Sequence, residues 1–181
     1  MFNLSTQDVV SSIEKTPLVN LDGIIFQEYN NFFGKKIILP DLHDKSFLQL
    51  EMQENNNRVR LDYQDDLLKK IRIFFMQTKI TDALSKKFKI NLKFESVDIW
   101  IDKQGYNLSP HTDDTRVKLA LQIYLGNNNL GTSLYVNNEN IKTFEFKFGS
   151  GYALLNNDRS FHGLDTAVEK SGRTSLYARY S

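Results

Sequence analysis

From about residue 91 onward, the chain is a series of short runs in which apolar and polar residues alternate, separated by turns rich in Gly and Asn. The runs are "LKFESVDIWID", "VKLALQIYL", "TSLYV", "KTFEFKF", "GYALL" and "RTSLYARY". A repeat of two places successive side chains on opposite faces of a β-strand. Short strands at this spacing predict a sandwich or barrel.

Two of these runs have distinct faces. The first places Val97, Ile99 and Ile101 on one face and Asp98, Trp100 and Asp102 on the other. The second places Val117, Leu119, Leu121, Ile123 and Leu125 opposite Lys118, Ala120, Gln122 and Tyr124. A face with polar and aromatic residues fits the lining of a barrel interior or a side that faces solvent, and periodicity does not choose between them.

The first 90 residues are mixed. "STQDVVSSIEK" predicts a helix capped by Ser5 or Thr6, and "GIIFQEYN" and "KKIILP" predict strands. "QDDLLKKIRIFFMQ" carries an apolar helical stripe that "TDALSKKFK" extends; the stripe comprises Leu67, Leu68, Ile71, Phe74, Phe75, Ile80, Leu84 and Phe88. Helices followed by strands predict an α+β domain, mainly β, with helices packed on one sheet. We expect one domain over 1–181, with 1–91 as mixed helical support and 92–181 as the β-core.

Composition excludes several kinds of site. The 181 residues include no cysteine, so disulfides, thiolate nucleophiles and thiolate-ligated metals are absent. The net charge is +1, which predicts no strong attraction to nucleic acid or to an anionic membrane. No apolar run has the length of a membrane span, and "MFNLSTQDVV" lacks the features of a signal peptide, so we expect a cytoplasmic protein.

A candidate metal site lies in the second half of the chain. His111 and Asp113 are two residues apart and point the same way in an extended segment, and His162 follows the strand "GYALL". Two histidines and one carboxylate form the facial triad of non-haem Fe(II) oxygenases, although zinc hydrolases and metal-binding cupins use similar ligands. His43 has no such pattern around it.

A basic residue follows the third candidate ligand. Arg173 lies in "RTSLYARY", where its guanidinium could bind the remote carboxylate of a dicarboxylic keto acid, and Ser175 shares its face. In isolation, a surface ion pair would be the better interpretation of Arg173. The order H-x-D, His, Arg-x-Ser, with strands around each motif, favours the functional interpretation.

These motifs resemble a known family. Gly105, Leu108, His111 and Asp113 follow the pattern G-x-x-L-x-x-H-x-D, and "IYL", "GTSLYV", "FHG" and "RTS" follow in order. Over about residues 92–181, the chain resembles the 2-oxoglutarate and Fe(II)-dependent oxygenases, in the prolyl-4-hydroxylase-like branch.

The resemblance implies a double-stranded β-helix, a cupin-like jelly roll supported by helices on one side. It implies Fe(II) held by His111, Asp113 and His162, and 2-oxoglutarate held by Arg173, with Tyr124 and, more weakly, Ser175 as further contacts. It also implies O2 as a cosubstrate, with ascorbate as a candidate reductant. The reaction would be hydroxylation of a C–H bond, coupled to decarboxylation of 2-oxoglutarate to succinate and CO2.

The substrate is less constrained. Strand parity and proximity suggest Trp100, Asp102, Tyr106 and Arg116 as substrate-facing residues, although Arg116 could equally pair with Asp114. A peptide, including a peptidyl-prolyl residue, leads over a small metabolite. Arg173 and Arg179 have the R-x5-R spacing of oxygenases that repair nucleic-acid bases, but "WIDKQG" departs from their pattern, so nucleic acid ranks last.

Outside the oxygenases, two alternatives remain. A non-oxidative, cupin-like metal-binding protein would not need Arg173. A non-catalytic barrel that binds a partner is disfavoured by the intact triad. The oligomeric state stays open.

Overall fold

The computed structural model describes residues 5–33, 47–49, 57–169 and 172–181. The predicted strand "KKIILP" and His43 lie outside the described residues. The helices are α1 (Thr6–Lys15), α2 (Asp66–Phe75) and α3 (Thr78–Phe88). The strands are β1 (Val19–Leu21), β2 (Ile24–Tyr29), β3 (Phe47–Gln49), β4 (Arg58–Leu61), β5 (Phe94–Asp102), β6 (Leu119–Tyr124), β7 (Thr132–Val136), β8 (Glu139–Phe144), β9 (Gly151–Leu155), β10 (His162–Gly163) and β11 (Arg173–Tyr180).

The strands form two antiparallel sheets. The large sheet has the order β1-β2-β9-β6-β11-β5-β4-β3, and the small sheet has the order β10-β7-β8. The described chain is therefore mostly β with three helices, as the sequence predicts, and its architecture is consistent with a jelly roll.

Side chains cap the first turns of α1, which begins where the sequence predicts, and of α2. The Ser5 hydroxyl accepts a hydrogen bond from the Asp8 N–H at 3.4 Å and caps α1. The Asp65 carboxylate accepts one from the Leu67 N–H at 2.7 Å and caps α2. Both caps satisfy backbone donors that a first helical turn leaves unpaired.

The apolar stripe predicted to continue through residue 88 is divided between two helices. α2 ends at Phe75, Gln77 has an extended backbone, and α3 begins at Thr78. In one continuous helix of 3.6 residues per turn, Leu84 would lie about opposite Phe75. The break turns α3 so that Ile80 and Leu84 join the same core as Phe75.

The helices pack on one face of the large sheet. Their apolar side chains meet Val97 and Ile99 of β5 and Leu119, Leu121 and Ile123 of β6 in one buried cluster. This confirms the predicted apolar faces of β5 and β6. The opposite face lies toward the small sheet, where a second buried apolar cluster, including Phe26, Tyr124, Leu134 and Phe144, packs between the two sheets. No helix in the described ranges is long and apolar enough to cross a membrane.

Candidate metal and cosubstrate site

A cavity of about 310 Å³ opens on the polar face of the large sheet and reaches β7 and β10 of the small sheet. It contains the three predicted metal ligands and Arg173. Its lining comprises Arg58, Trp100, Leu108, His111, Asp113, Gln122, Thr132, Tyr152, His162, Gly163, Leu164, Arg173, Tyr177 and Arg179.

Backbone pairing brings the two histidines together. His111 and His162 form an isolated antiparallel bridge, with N–O distances of 3.0 and 2.8 Å between their main chains. Gly163 allows the preceding loop to approach closely, because a Cβ there would lie 2.6 Å from the carbonyl oxygen of Leu108. One ligand atom from each of His111, Asp113 and His162 lies within 4.8 Å of the others. The structure therefore brings together residues that are up to 51 positions apart in the sequence.

The outward nitrogens of both imidazoles are already engaged. His111 Nδ1 lies 2.9 Å from the Ser109 carbonyl oxygen, and His162 Nδ1 lies 3.0 Å from that of Ser160. A carbonyl oxygen only accepts hydrogen bonds, so in the neutral form of each imidazole the proton is on Nδ1 and the lone pair is on Nε2. Hydrogen bonds of this kind fix the orientation of metal-binding histidines.

Burial favours the neutral form of His162. Its residue is 5% exposed, and desolvation lowers its pKa from the ordinary 6.5; Asp113 opposes this shift and His111 adds to it. The Nε2 of His162 lies 3.8 Å from Oδ1 of Asp113. A neutral imidazole is the form that binds a metal ion.

Tyr177 supports the carboxylate. Its hydroxyl donates a 2.8 Å hydrogen bond to Oδ2 of Asp113. Burial first, and then the charge of Asp113, raise the pKa of Tyr177 well above 10, so the hydroxyl keeps its proton. Tyr177 is not among the site residues predicted from the sequence, although the parity of β11 places it on the face of Arg173 and Ser175.

The residues fit a divalent transition metal. Two imidazole nitrogens and one carboxylate oxygen converge on a cavity, with a hydrogen-bond partner behind each group. This donor set is the one that non-haem Fe(II) sites use, with the remaining coordination positions left for other ligands.

Arg173 is buried within this cavity and is 2% exposed. Its Nε donates to the Leu130 carbonyl at 3.1 Å, one Nη donates to the Thr132 hydroxyl at 2.8 Å, and the other pairs with Asp102. Its guanidinium also lies 4.9 Å from the centroid of Phe146. Those bonds use three of the five N–H donors of an arginine, so among the described residues two donors remain for a ligand carboxylate.

Tyr124 and Ser175 lie in the layer behind the cavity surface. Tyr124 is fully buried, stacks on Phe146 at 4.1 Å, and accepts the Thr132 N–H at 3.3 Å. Ser175 accepts a 3.1 Å hydrogen bond from the Gln122 amide. Neither lines the cavity, whereas Gln122, which was named only as a member of its strand face, does.

The four predicted substrate residues divide into different places. Trp100 lines the cavity, but Tyr106 is buried and its hydroxyl accepts a 2.9 Å bond from Arg58. Asp102 is fully buried and pairs with Arg58 at 2.9 Å as well as with Arg173, so its charge is used internally.

Arg116 lies outside the cavity. Its side chain is 83% exposed and binds Asp114 at 2.9 Å through a bidentate contact. The bonds from Arg116 lower the pKa of the Asp114 carboxyl to about 2. The structure therefore shows the loop pair with Asp114, which was the alternative interpretation of Arg116, and a contact of Arg116 with substrate stays a prediction.

Solved structures share this fold at low sequence identity. A prolyl 4-hydroxylase from Phytophthora capsici has a TM-score of 0.62 and 13% identity, over 100% of this chain and 66% of that chain. A prolyl hydroxylase from Trichoplax adhaerens, in complex with a hypoxia inducible factor oxygen degradation domain peptide fragment, has a TM-score of 0.57 and 13% identity, over 97% and 88%. An oxidoreductase of the 2OG-Fe(II) oxygenase family from Burkholderia pseudomallei has a TM-score of 0.54 and 12% identity, over 95% and 75%. The chain has the fold of these oxygenases.

The similarity to these proteins is in the structure and not in the sequence. No family model matches the sequence, and no curated protein matches it. At 12% and 13% identity, the comparisons establish a shared fold and leave the chemistry to the residues of this chain. The resemblance to the oxygenases and prolyl hydroxylases, which the motifs indicated, is confirmed at the level of the fold.

Proposed function

We propose that this chain is a non-haem Fe(II) and 2-oxoglutarate-dependent dioxygenase that hydroxylates a C–H bond. The observation that carries the proposal is the convergence of His111, Asp113 and His162 within 4.8 Å, in a cavity that also contains the buried guanidinium of Arg173. A metal site alone would fit several chemistries, but a buried cation beside it suits a cosubstrate with a second carboxylate.

The fold supports this proposal. We assign the two sheets to a double-stranded β-helix, in which β5, β11, β6 and β9 form one wall and β10, β7 and β8 form the other. The bridge between His111 and His162 extends the second wall by one short pairing. The metal ligands then lie between the walls, where burial limits access of water.

Each residue of the chain has a defined task in this proposal. Fe(II), with 2-oxoglutarate and O2, would supply the oxidising chemistry that turns C–H into C–OH and yields succinate and CO2. His111, Asp113 and His162 would hold the metal through two Nε2 atoms and one carboxylate oxygen. Tyr177 would keep Asp113 oriented, and Arg173 would orient the cosubstrate through its two remaining N–H donors.

Tyr124 and Ser175 do not line the cavity and would act on the cosubstrate site through the residues that they contact. Tyr124 packs beside Phe146, which contacts the Arg173 guanidinium, and Ser175 binds Gln122 in the cavity wall. We therefore assign both to positioning of the cosubstrate site. Ascorbate as a reductant remains a proposal with no residue assigned to it.

A peptide is the leading substrate class, including one with a prolyl residue. The support is the pair of prolyl hydroxylases that share the fold, one of them solved with a peptide fragment. Trp100 lines the cavity and is the residue best placed to contact such a substrate.

The test is formation of succinate from 2-oxoglutarate by the Fe(II)-loaded protein in air, with and without a panel of proline-containing peptides. The proposal predicts O2-dependent succinate that a substrate peptide increases, and none from the His111→Ala variant. Binding of Fe(II) without any binding of 2-oxoglutarate would contradict it.

One observation favours a second candidate, a non-oxidative, cupin-like metal-binding protein. Asp102 already supplies a carboxylate to Arg173, so the guanidinium is not free to serve an incoming ligand alone. Under this alternative, the metal would bind and 2-oxoglutarate would not.

A further inference from the structure

A second cluster of arginines lies on the cavity face of the large sheet. On that face, β11 presents Arg173, Tyr177 and Arg179 in the order of the strand, because residues two apart share a face. Asp102 pairs with Arg58 and Arg173 at one end. Asp98 pairs with Arg179 at 2.9 Å and lies 3.9 Å from Arg60 at the other end.

The two ends of this row of arginines differ in how many N–H donors remain for a ligand. We call the Arg60–Asp98–Arg179 set the distal triad. Two guanidiniums and one carboxylate give it a net charge of +1. Arg179 donates to Ser96 and Asp98, both at 2.9 Å, so three of its five N–H donors remain among the described residues.

Arg60 also has unused capacity. One of its Nη atoms donates to the Tyr63 hydroxyl at 2.6 Å, but its Nε is buried and has no hydrogen-bond partner in the described part of the chain. Oδ1 of Asp98 is buried without a hydrogen-bond partner there as well, and since both atoms are closed to solvent, an incoming anion would be bound by the remaining Nη hydrogens of Arg60. The side chains of Arg60 and Arg179 are 18% and 35% exposed, so a ligand can reach both.

The cosubstrate does not account for this charge. The Cα atoms of Arg173 and Arg179 are separated by about 20 Å along an extended strand. In the proposed function, 2-oxoglutarate is held by Arg173, and Arg179 is assigned no part in holding it. Tyr177, which binds Asp113 of the metal site, lies between the two ends.

We infer that the distal triad is the subsite for an anionic group on the substrate that is hydroxylated. The group would be a carboxylate or a phosphate held by Arg60 and Arg179 beside Trp100. Arg179 and Trp100 both line the same cavity as the metal ligands, which places that anion near the reacting centre. This inference rests on the proposed function and narrows its substrate class to anionic peptides or metabolites.

Inorganic phosphate is the probe, and its 31P line width reports binding. The measurement is made first on the metal-free protein, and then on the protein loaded with Mn(II) and saturated with 2-oxoglutarate under anaerobic conditions. The inference predicts saturable binding in both, with additional paramagnetic broadening by Mn(II) because the anion shares the cavity with the metal.

Three variants separate recognition from folding. Arg179→Gln and Arg60→Gln should each weaken phosphate binding about tenfold, since each removes charged hydrogen bonds. Asp98→Asn removes the competing carboxylate and should tighten binding. A purely structural role for the triad would instead weaken binding in all three. Arg72→Gln is the matched control, because Arg72 is exposed on α2 and should have no effect.

The outcomes of the two proposals are distinguishable. Failure of Mn(II) or 2-oxoglutarate to bind would contradict the proposed function, while the metal-free measurement still tests the distal triad. Phosphate affinities that are equal in wild type, Arg179→Gln and Arg60→Gln would overturn the inference alone, as would weaker binding in Asp98→Asn.

Discussion

The Tyr177 hydroxyl lies 2.8 Å from Oδ2 of Asp113 and donates a hydrogen bond to it. Replacing Tyr177 by Phe removes this bond and leaves the ring in place. Loss of a partner behind a metal ligand commonly costs about 10- to 100-fold in metal affinity. We expect a loss of that size for Mn(II), measured by electron paramagnetic resonance of the free ion.

Tyr180→Phe is the matched control. Tyr180 is on the same strand and is fully buried on the helix side, where its hydroxyl donates a 3.4 Å bond to the Phe75 carbonyl. Its variant should bind Mn(II) as wild type does. Equal affinity in the Tyr177→Phe protein would show that Asp113 does not need this support.

Arg173→Gln should separate cosubstrate binding from metal binding. The change removes the buried charge proposed to hold the second carboxylate, so 2-oxoglutarate affinity should fall at least about tenfold. The Mn(II) affinity should change little, because Arg173 contacts none of the three ligands in the described structure. Calorimetric titration of the Mn(II) protein measures both.

Arg116→Gln serves as the control for charge alone. Arg116 is exposed and bound to Asp114, so neither affinity should change. A loss of 2-oxoglutarate binding in Arg116→Gln similar to that in Arg173→Gln would refute the assignment of the anchor.

The pKa of His162 predicts how the stability of the metal-free protein depends on pH. Burial lowers this pKa below 6.5, its value in the unfolded chain. The unfolded state then binds the proton first as the pH falls, so the free energy of unfolding decreases from pH 6.5 downward through the lowered folded value. Above that window, His162 is neutral in both states and contributes no slope.

Urea unfolding at a series of pH values measures this effect. His162→Asn should flatten the curve within the window, because Asn does not titrate. An unchanged slope in His162→Asn would mean that other groups cause the acid sensitivity.

The core between α2 and the large sheet offers a paired test of stability. Ile71 is fully buried, whereas Ile73 on the same helix is 63% exposed. Ile71→Ala should lower the free energy of unfolding by about 2–5 kcal/mol through lost burial and a cavity. Ile73→Ala should change it by less than about 0.5 kcal/mol. Similar losses in both variants, measured by urea unfolding, would contradict the packing described for α2.

Side-chain spacing along the sequence predicted the helix cap, the apolar helix face and the strand faces. The N-cap at Ser5, the apolar stripe of α2 and the opposed faces of β5 and β6 all follow from side-chain spacing, and the structure confirms them. The break before Thr78 was not predicted. Apolar residues at helical spacing occur both in one long helix and in two shorter helices that face the core in turn, so the spacing does not show the break.

Tertiary pairing decided the features of the site that the sequence left open. The H-x-D motif and His162 were identified from spacing, and the antiparallel bridge explains why they meet. Nothing in the spacing shows that Asp102 would neutralise part of Arg173, because that contact depends on the register of β5 against β11. Arg58 reaches the cavity through the register of β4 against β5, whereas the face of Tyr177 follows from the parity of β11.

The central claim is that the His–Asp–His group holds Fe(II) where 2-oxoglutarate can chelate it. The most direct test is anaerobic titration of the Fe(II)-loaded protein with 2-oxoglutarate, followed by visible absorption. We predict a weak charge-transfer band that saturates at one equivalent, requires higher 2-oxoglutarate in Arg173→Gln, and is absent in His111→Ala. Iron binding without such a band at any 2-oxoglutarate concentration would contradict the claim and favour the non-oxidative metal-binding protein.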